Sequence, residues 1–592
     1  MNILTHYIQL FNGIAPSINK KIEISIKEIS QLLYCTDRNS NLVIAKLVEQ
    51  GWIDWLPGRG RGNRSRIVFR KNPTNLVIQR CKEFVKAGEI KEARKMISEH
   101  EGDVDSLRKQ FDQWFESLFG FHVESVEEEK VDLLRLKVQF NLLASLDPLH
   151  AHLRSECHIV KQVCDTLVRY NKQTREIEPH LAFYWEHDQE CKNWSFFLRK
   201  GIRFHNGETL TAHDVVYSLI RVKRTDNAYK WMMKTMSSIK AINEGEVAIS
   251  FSKPYPFLLQ ILCDERLSIV PDGFDIETLL IGTGPFYLSQ LNEFVIQLNA
   301  HSHYFKGRPY LDVVELWNVE EGRQDDDKPH DVRFGLLQKE EETSDRKQSR
   351  VLEWNVQYLT LNCKKTGPLQ SIKLRQALTI MLDRQKLISE LGGPREEIAH
   401  GFLRDSLKFE IVSQSVQQLL AESGYNGEVL HLYTFTDEDH QEDVTWIQQQ
   451  CGKYGVHIES HYVEATELLQ AETLEKADIL HDSASLDEEI ERNFLHIILA
   501  RNSFIFCHMR EEMKLYMEKS LDHLFEADSE EVRLTILKEI EKKLLDVCQV
   551  IPLYRNQARV HSDSMVQEAT LNAQGWLDFY HIWFRRDRGV KS

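Results

Sequence analysis

Between Ile22 and Phe69 the chain reads IEISIKEISQLLYCTDRNSNLVIAKLVEQGWIDWLPGRGRGNRSRIVF, and the order of its local signals leaves few folds open. Ser25-Ile26-Lys27-Glu28 has the spacing of a capping box, in which the serine hydroxyl meets the amide three residues on and the glutamate reaches back, so a helix starts there. Ile29, Leu32 and Leu33 give that helix an apolar face. After the turn Tyr34-Cys35-Thr36 a second helix is expected over about Asp37 to Gln50, with Val43 and Leu47 facing inward and Arg38, Asn39, Asn41 and Lys46 facing out. Gly51 supplies the left-handed residue that closes a helix, and Trp52 to Trp55 alternates like a strand. A glycine-arginine hairpin, Gly58 to Arg66, then leads into the strand Ile67-Val68-Phe69. Two helices, a tight turn and a basic hairpin make a winged helix-turn-helix.

Such a unit reads double-stranded DNA. The polar face of the second helix, with Arg38, Asn39, Asn41 and Lys46, suits base edges, and Arg59, Arg61, Arg64 and Arg66 on the wing suit phosphates and the minor groove. Charge follows the same division. Residues 1 to 75 hold 11 Lys and Arg against 5 Asp and Glu, about +6 within a chain of net charge -16, which leaves about -22 for the remainder. A small helical domain with a solvated basic loop is the competing reading. A dinucleotide loop fits poorly, because the glycines lie between two strand-like runs instead of opening a helix.

The chain has 592 residues, too many for one core, with 42% hydrophobic and 28% charged residues. No basic and then apolar leader begins the sequence and no apolar run reaches membrane-spanning length, so a cytoplasmic protein with no membrane partner is expected. The 10 cysteines are scattered without metal-like spacing, as in reduced, mostly buried thiols. Residues 2 to 12 read as a first helix. Thr74 to about Gly120 is helical and amphipathic, able to connect two domains, to form a homodimer, or both.

From Val131 the pattern changes to alternating strands and helices: a period-two run Leu134 to Phe140, a helix over about Glu156 to Tyr170, and another over Arg375 to Ile388. The segments Ser145 to Pro148, Pro179 to Trp185, Phe197 to Glu208, Leu210 to Ser218, Ile281 to Tyr287 and Tyr358 to Asn362 occur in an order that resembles the extracellular solute-binding proteins of the oligopeptide and nickel receptor type. Preceded by a winged helix-turn-helix, and closed by Gly575 to Phe584, the whole resembles the SgrR type of bacterial transcriptional regulator.

The resemblance implies a multidomain α+β and α/β protein: a winged helix-turn-helix at 1–72, a helical linker at 73–130, and a two-lobed, type II periplasmic-binding-protein-like module. Its first lobe is expected over 131–350, its second over 351–545, and a return to the first over 546–592, with Pro552-Leu553-Tyr554 marking that return. It implies a DNA-binding transcriptional regulator that senses a small solute, such as a sugar phosphate or peptide, in the cleft. The alternative is a substrate-binding receptor of an oligopeptide- or nickel-type ABC transporter.

Cleft candidates come from segments that cross between lobes: Trp354, Asn355 and Tyr358, and, by the family resemblance, His481 and Asp482 in what reads as a polar loop. No nucleophile elbow, phosphate-cradling loop or His-Glu-x-x-His motif occurs, so no catalytic residues, no cofactor and no enzyme are expected. His150, His152, Cys157 and His158 lack a carboxylate at characteristic spacing, and no metal is assigned to them.

Overall fold

A computed structural model describes residues 3–58, 64–100, 107–126, 129–138, 145–275, 279–319, 347–352, 354–404, 414–484, 486–500, 503–562, 566–569, 571–572 and 576–585. The chain divides into two compact units, the first essentially Met1–Gly120 and the second most of the remainder. The highly charged run Val319 to Arg350, whose composition predicts an exposed loop, lies outside the described residues over 320–346.

In the first unit, α1 (Ile3–Ile14), β1 (Lys21–Glu23), α2 (Ile26–Leu32), α3 (Asp37–Glu49), β2 (Ile53–Leu56) and β3 (Arg66–Phe69) form the winged helix-turn-helix. Its three strands are ordered β1-β3-β2. Ser25 and Glu28 close the capping box that starts α2, and Thr36 caps α3. Gly51 takes φ +67, the left-handed state that lets α3 end and the chain turn into β2. Tyr7 is the hub of the core: its ring meets Trp52 at 5.4 Å and Phe69 at 5.7 Å, and its hydroxyl donates to the Lys71 carbonyl at 2.6 Å. A short polar chain sets α2 against α3. Ser40 Oγ donates to Ser30 Oγ at 3.0 Å, and Ser30 Oγ donates to Asp37 Oδ1 at 2.6 Å.

The amphipathic segment is three helices, α4 (Pro73–Lys86), α5 (Ile90–His100) and α6 (Leu107–Glu116), each packed on the other two. With α4 also against α1, they belong to the same compact unit as the winged domain.

Among the described residues, the second unit has three large sheets and two two-stranded ones. A five-stranded sheet runs in the order Phe286–Leu291, Val295–Ala300, Val313–Asn318, Glu129–Val138, Gly120–Val126. A four-stranded antiparallel sheet runs Met236–Asn243, Glu246–Phe251, Asn193–Leu198, Ala182–His187. The second lobe carries the seven-stranded sheet, whose main path is Lys347–Leu352, Val550–Ser562, Val356–Leu361, Ile479–Ala484, Leu430–Phe435, Ile458–Val463. Pro552 and Tyr554 pair with Tyr358 and Gln357 in that sheet. The chain therefore rejoins the first lobe later than expected, where Leu577, Phe579, Ile582 and Phe584 enter the core of the five-stranded sheet.

Two expected helices are shorter. The helix starting at Arg154 ends at Val163, because Cys164 is extended (φ -121, ψ 156), and Val168–Asn171 is a strand. The helix expected over Arg375 to Ile388 is two, Ile372–Met381 and Arg384–Leu391, divided at Leu382, with Asp383 capping the second. The motif Gly282-Thr283-Gly284-Pro285 owes its glycines to close approach: an added Cβ would lie 2.2 Å from the Val163 carbonyl oxygen at Gly282 and 2.6 Å from its carbon at Gly284.

One apolar cluster runs continuously from the four-stranded sheet (Trp194, Phe196, Ile249) into the second lobe (Tyr358, Phe402, Phe494, Leu537). No helix among the described residues is long and apolar enough to cross a membrane.

Candidate functional sites

On α3 the side chains of Val43, Ile44 and Leu47 are buried, while Arg38, Asn39, Asn41 and Lys46 are exposed. Asn41 Nδ2 donates back to the Asp37 carbonyl at 2.8 Å. The wing is less free than its composition implies. Arg64 bonds both carboxylate oxygens of Glu28, and Arg66 pairs with Glu23 at 3.2 Å. Arg64 and the capping serine hold the Glu28 carboxyl down at about 2. Arg59 and Arg61 lie outside the described residues. The sequence reading passed over Tyr34, which sits in the turn between α2 and α3 at φ +50 with 88% of its surface exposed. A bulky aromatic where turns favour small polar residues was the available signal. On α3 itself, Leu42 and Val48 are exposed large apolar side chains.

In the second unit the expected cleft residues separate. Tyr358 opposes Asp482, and Leu359 opposes His481, across adjacent antiparallel strands. Alternation then sends neighbours to opposite faces. Tyr358 Oη donates to Asp482 Oδ2 at 2.8 Å on the face of the shared apolar cluster, and burial pushes the Asp482 carboxyl up to about 6. His481 is on the other face, fully buried, with Nε2 3.4 Å from Asp443 and its ring 4.5 Å from His440. It belongs to the interior of the second lobe, not to a polar loop. Trp354 packs on the shared cluster beneath the Arg404 guanidinium at 4.9 Å. Asn355 is buried, and its Oδ1 accepts from the Leu486 amide at 3.3 Å.

Leu486 leads directly to a dense cluster of buried charges. Lys161, on the helix Arg154–Val163, lies 3.5 Å from Asp487 and 3.7 Å from Glu265. Arg492 donates to Asp264 at 2.6 Å, Glu265 at 3.2 Å and Glu489 at 3.0 Å. His496 Nε2 is 2.5 Å from Asp264. Arg266 lies over the Tyr229 ring at 4.5 Å, and the Tyr229 hydroxyl is 2.9 Å from His152 Nδ1.

Burial alone would push the Asp264 carboxyl up, but His496, Arg492 and Arg266 outweigh it and hold the group well below the usual range. Glu489 goes the other way: burial, opposed by Arg492 and reinforced by Asp487, raises it to about 8. Buried polar atoms are left over here, namely Glu489 Oε2, Arg492 Nε, Arg266 Nε and His496 Nδ1. A seam that joins residues 152–266 to residues 487–496, with charge and unused hydrogen-bonding capacity, has the chemistry to take a polar solute. The histidines weighed for a metal disperse instead: His150 faces Asp147, His152 faces Tyr229, and His158 stacks on Trp576.

Residues 176–499 match the bacterial extracellular solute-binding proteins, family 5 (middle region), and residues 2–116 match the sugar transport-related sRNA regulator N-terminal domain. The chain belongs to the family 5 solute-binding proteins, in the arrangement of the SgrR-type transcriptional regulators. It is 36% identical to YhjP of Bacillus subtilis (strain 168), over 99% of this chain and all of that protein. It is 24% identical to the HTH-type transcriptional regulator SgrR of Escherichia coli O6:K15:H31, over 95% of this chain and 96% of that one. Among solved structures it is similar to the murein tripeptide binding protein MppA of Escherichia coli, with TM-score 0.64, 18% identity, and 76% of this chain and 98% of that chain covered. The oligopeptide-binding protein AppA of Bacillus subtilis, in complex with a nonapeptide, gives TM-score 0.64 and 18% identity, covering 77% of this chain and all of that one.

Proposed function

We propose that the chain is a cytoplasmic, ligand-responsive regulator that binds double-stranded DNA through α3 and the wing, and senses a small polar solute at the charged seam of its solute-binding module. The observation that carries this reading is the exposed polar face of α3, Arg38 to Lys46, within an N-terminal domain that matches a regulator family. The seam supports the sensing half. A solute that binds one arrangement of the lobes more tightly shifts the equilibrium towards it by that difference in affinity, and DNA affinity changes with it.

The test is fluorescence anisotropy on duplex DNA from the protein's own promoter region across a salt series. Affinity is expected to fall steeply with salt; salt-independent or absent binding rejects the reading. Mass spectrometry of small molecules that co-purify with the full chain then identifies the solute. Equal promoter affinity with and without that solute at saturation removes the sensing half. The likeness to peptide-binding structures supports a second reading, a receptor of an oligopeptide- or nickel-type transporter, and cell fractionation that finds the intact chain outside the cytosol would favour it.

A further inference from the structure

At one end of the seven-stranded sheet, the strands Leu430–Phe435 and Ile458–Val463 run parallel, with His431 opposite Glu459 and Tyr433 opposite His461. Alternation puts these four side chains on one face, while Leu430 and Leu432 bury the other in the core of the second lobe. His431 Nδ1 lies 3.1 Å from His461 Nε2. The two Glu459 oxygens are each 3.8 Å from one of these nitrogens. We propose that His431, Glu459 and His461 form a binding site for a divalent transition metal ion of the zinc class.

The geometry is close to what such an ion requires. With Zn–N bonds of about 2.0–2.1 Å in a tetrahedral shell, two imidazole nitrogens stand about 3.3 Å apart, near the spacing found here. One ligand atom from each of the three residues falls within 4.8 Å of the others, and the exposed Glu459 carboxylate closes the remaining distance by a rotamer adjustment. The Tyr433 ring stacks on His461 at 4.4 Å and 19°, which fixes the direction of that imidazole. Two imidazoles and one carboxylate favour zinc, nickel or copper over magnesium or calcium, which take oxygen-rich shells. Three protein ligands leave a position for water or an external donor.

The site is built from strands that contribute nothing to the charged seam, so it stands or falls apart from the proposed solute. Bound metal would cross-link the end strand Ile458–Val463 to its neighbour through side chains, in addition to their backbone ladder.

The test uses the full chain, freed of metal by chelation and titrated with Zn2+ in a calorimeter and with Co2+ by visible absorption. The expected result is one saturable equivalent whose Co2+ spectrum lacks a thiolate charge-transfer band, weakened at least tenfold in His431→Asn and His461→Asn and measurably in Glu459→Gln. Glu459 is largely exposed, so its variant tests the site even if a histidine variant fails to fold. No stoichiometric Zn2+ binding by the unaltered chain, or unchanged binding in folded variants, overturns the proposal.

Discussion

Arg492 reaches across 228 residues of sequence to Asp264, donating from Nη1 to Oδ2 at 2.6 Å, with its other terminal nitrogen on Glu489 at 3.0 Å. Only 1% of the arginine surface is exposed. Charges so placed cost more to separate than they gave on forming, because the buried carboxylates of Asp264 and Glu265 lose a cation they share with Arg266 and no water replaces it. Arg492→Met is therefore expected to destabilise the solute-binding module by about 3–5 kcal/mol. Urea unfolding followed by tryptophan fluorescence measures it, and a loss too small to detect would mean that water reaches the seam.

Glu489 predicts a pH dependence of definite sign. Its carboxyl is raised from 4.5 to about 8 in the folded chain. Below the lower value both states hold the proton and nothing is lost. Between the two values the unfolded chain releases it while the folded chain keeps it, so stability falls as pH rises, and the full penalty is present above the upper value. Glu489→Gln keeps a neutral group there at every pH. The melting temperature of the variant relative to the unaltered protein is expected to rise from pH 5 to pH 8; a constant difference would show that Glu489 is ionised in the fold.

On α3, Arg38→Ala and Lys46→Ala are each expected to weaken duplex binding. If either side chain meets a phosphate, its loss reduces the magnitude of the log-affinity against log-salt slope by about 1. Tyr34→Ala, which removes a large exposed surface without a charge, is expected to lower affinity while leaving that slope unchanged. Anisotropy titrations over a salt series separate these outcomes.

Glu28 holds Arg64 and caps α2 with the same carboxylate. Glu28→Gln keeps a side-chain acceptor for the cap and releases the guanidinium. Affinity for duplex DNA is expected to rise at low salt, with a steeper salt dependence, because a negative charge is removed and a cation set free. Unchanged binding would mean that Arg64 takes no part in the interface.

Much of the first unit was legible because its signals are local. Ser25 with Glu28, Thr36 before α3 and Gly51 after it each act within one helical turn. The cleft was not. His481 and Asp482 are neighbours in sequence and were read together as one loop, but in a strand that adjacency places them on opposite faces. In sequence Lys161 is one more polar position on an amphipathic helix; its partners Glu265 and Asp487 are brought to it only by the tertiary fold. The same holds for His431 and His461, whose approach depends on two parallel strands joined through a helix, so no short spacing announces them.

The contact of Gly282 and Gly284 with the backbone at Val163 bears on how this module tolerates change. Because backbone atoms cannot swing aside as a flexible side chain does, even a methyl group at either position would prise the end of the helix Arg154–Val163 away from the strand that begins at Phe286. A library of random variants screened for folded protein would thus return these two positions nearly invariant.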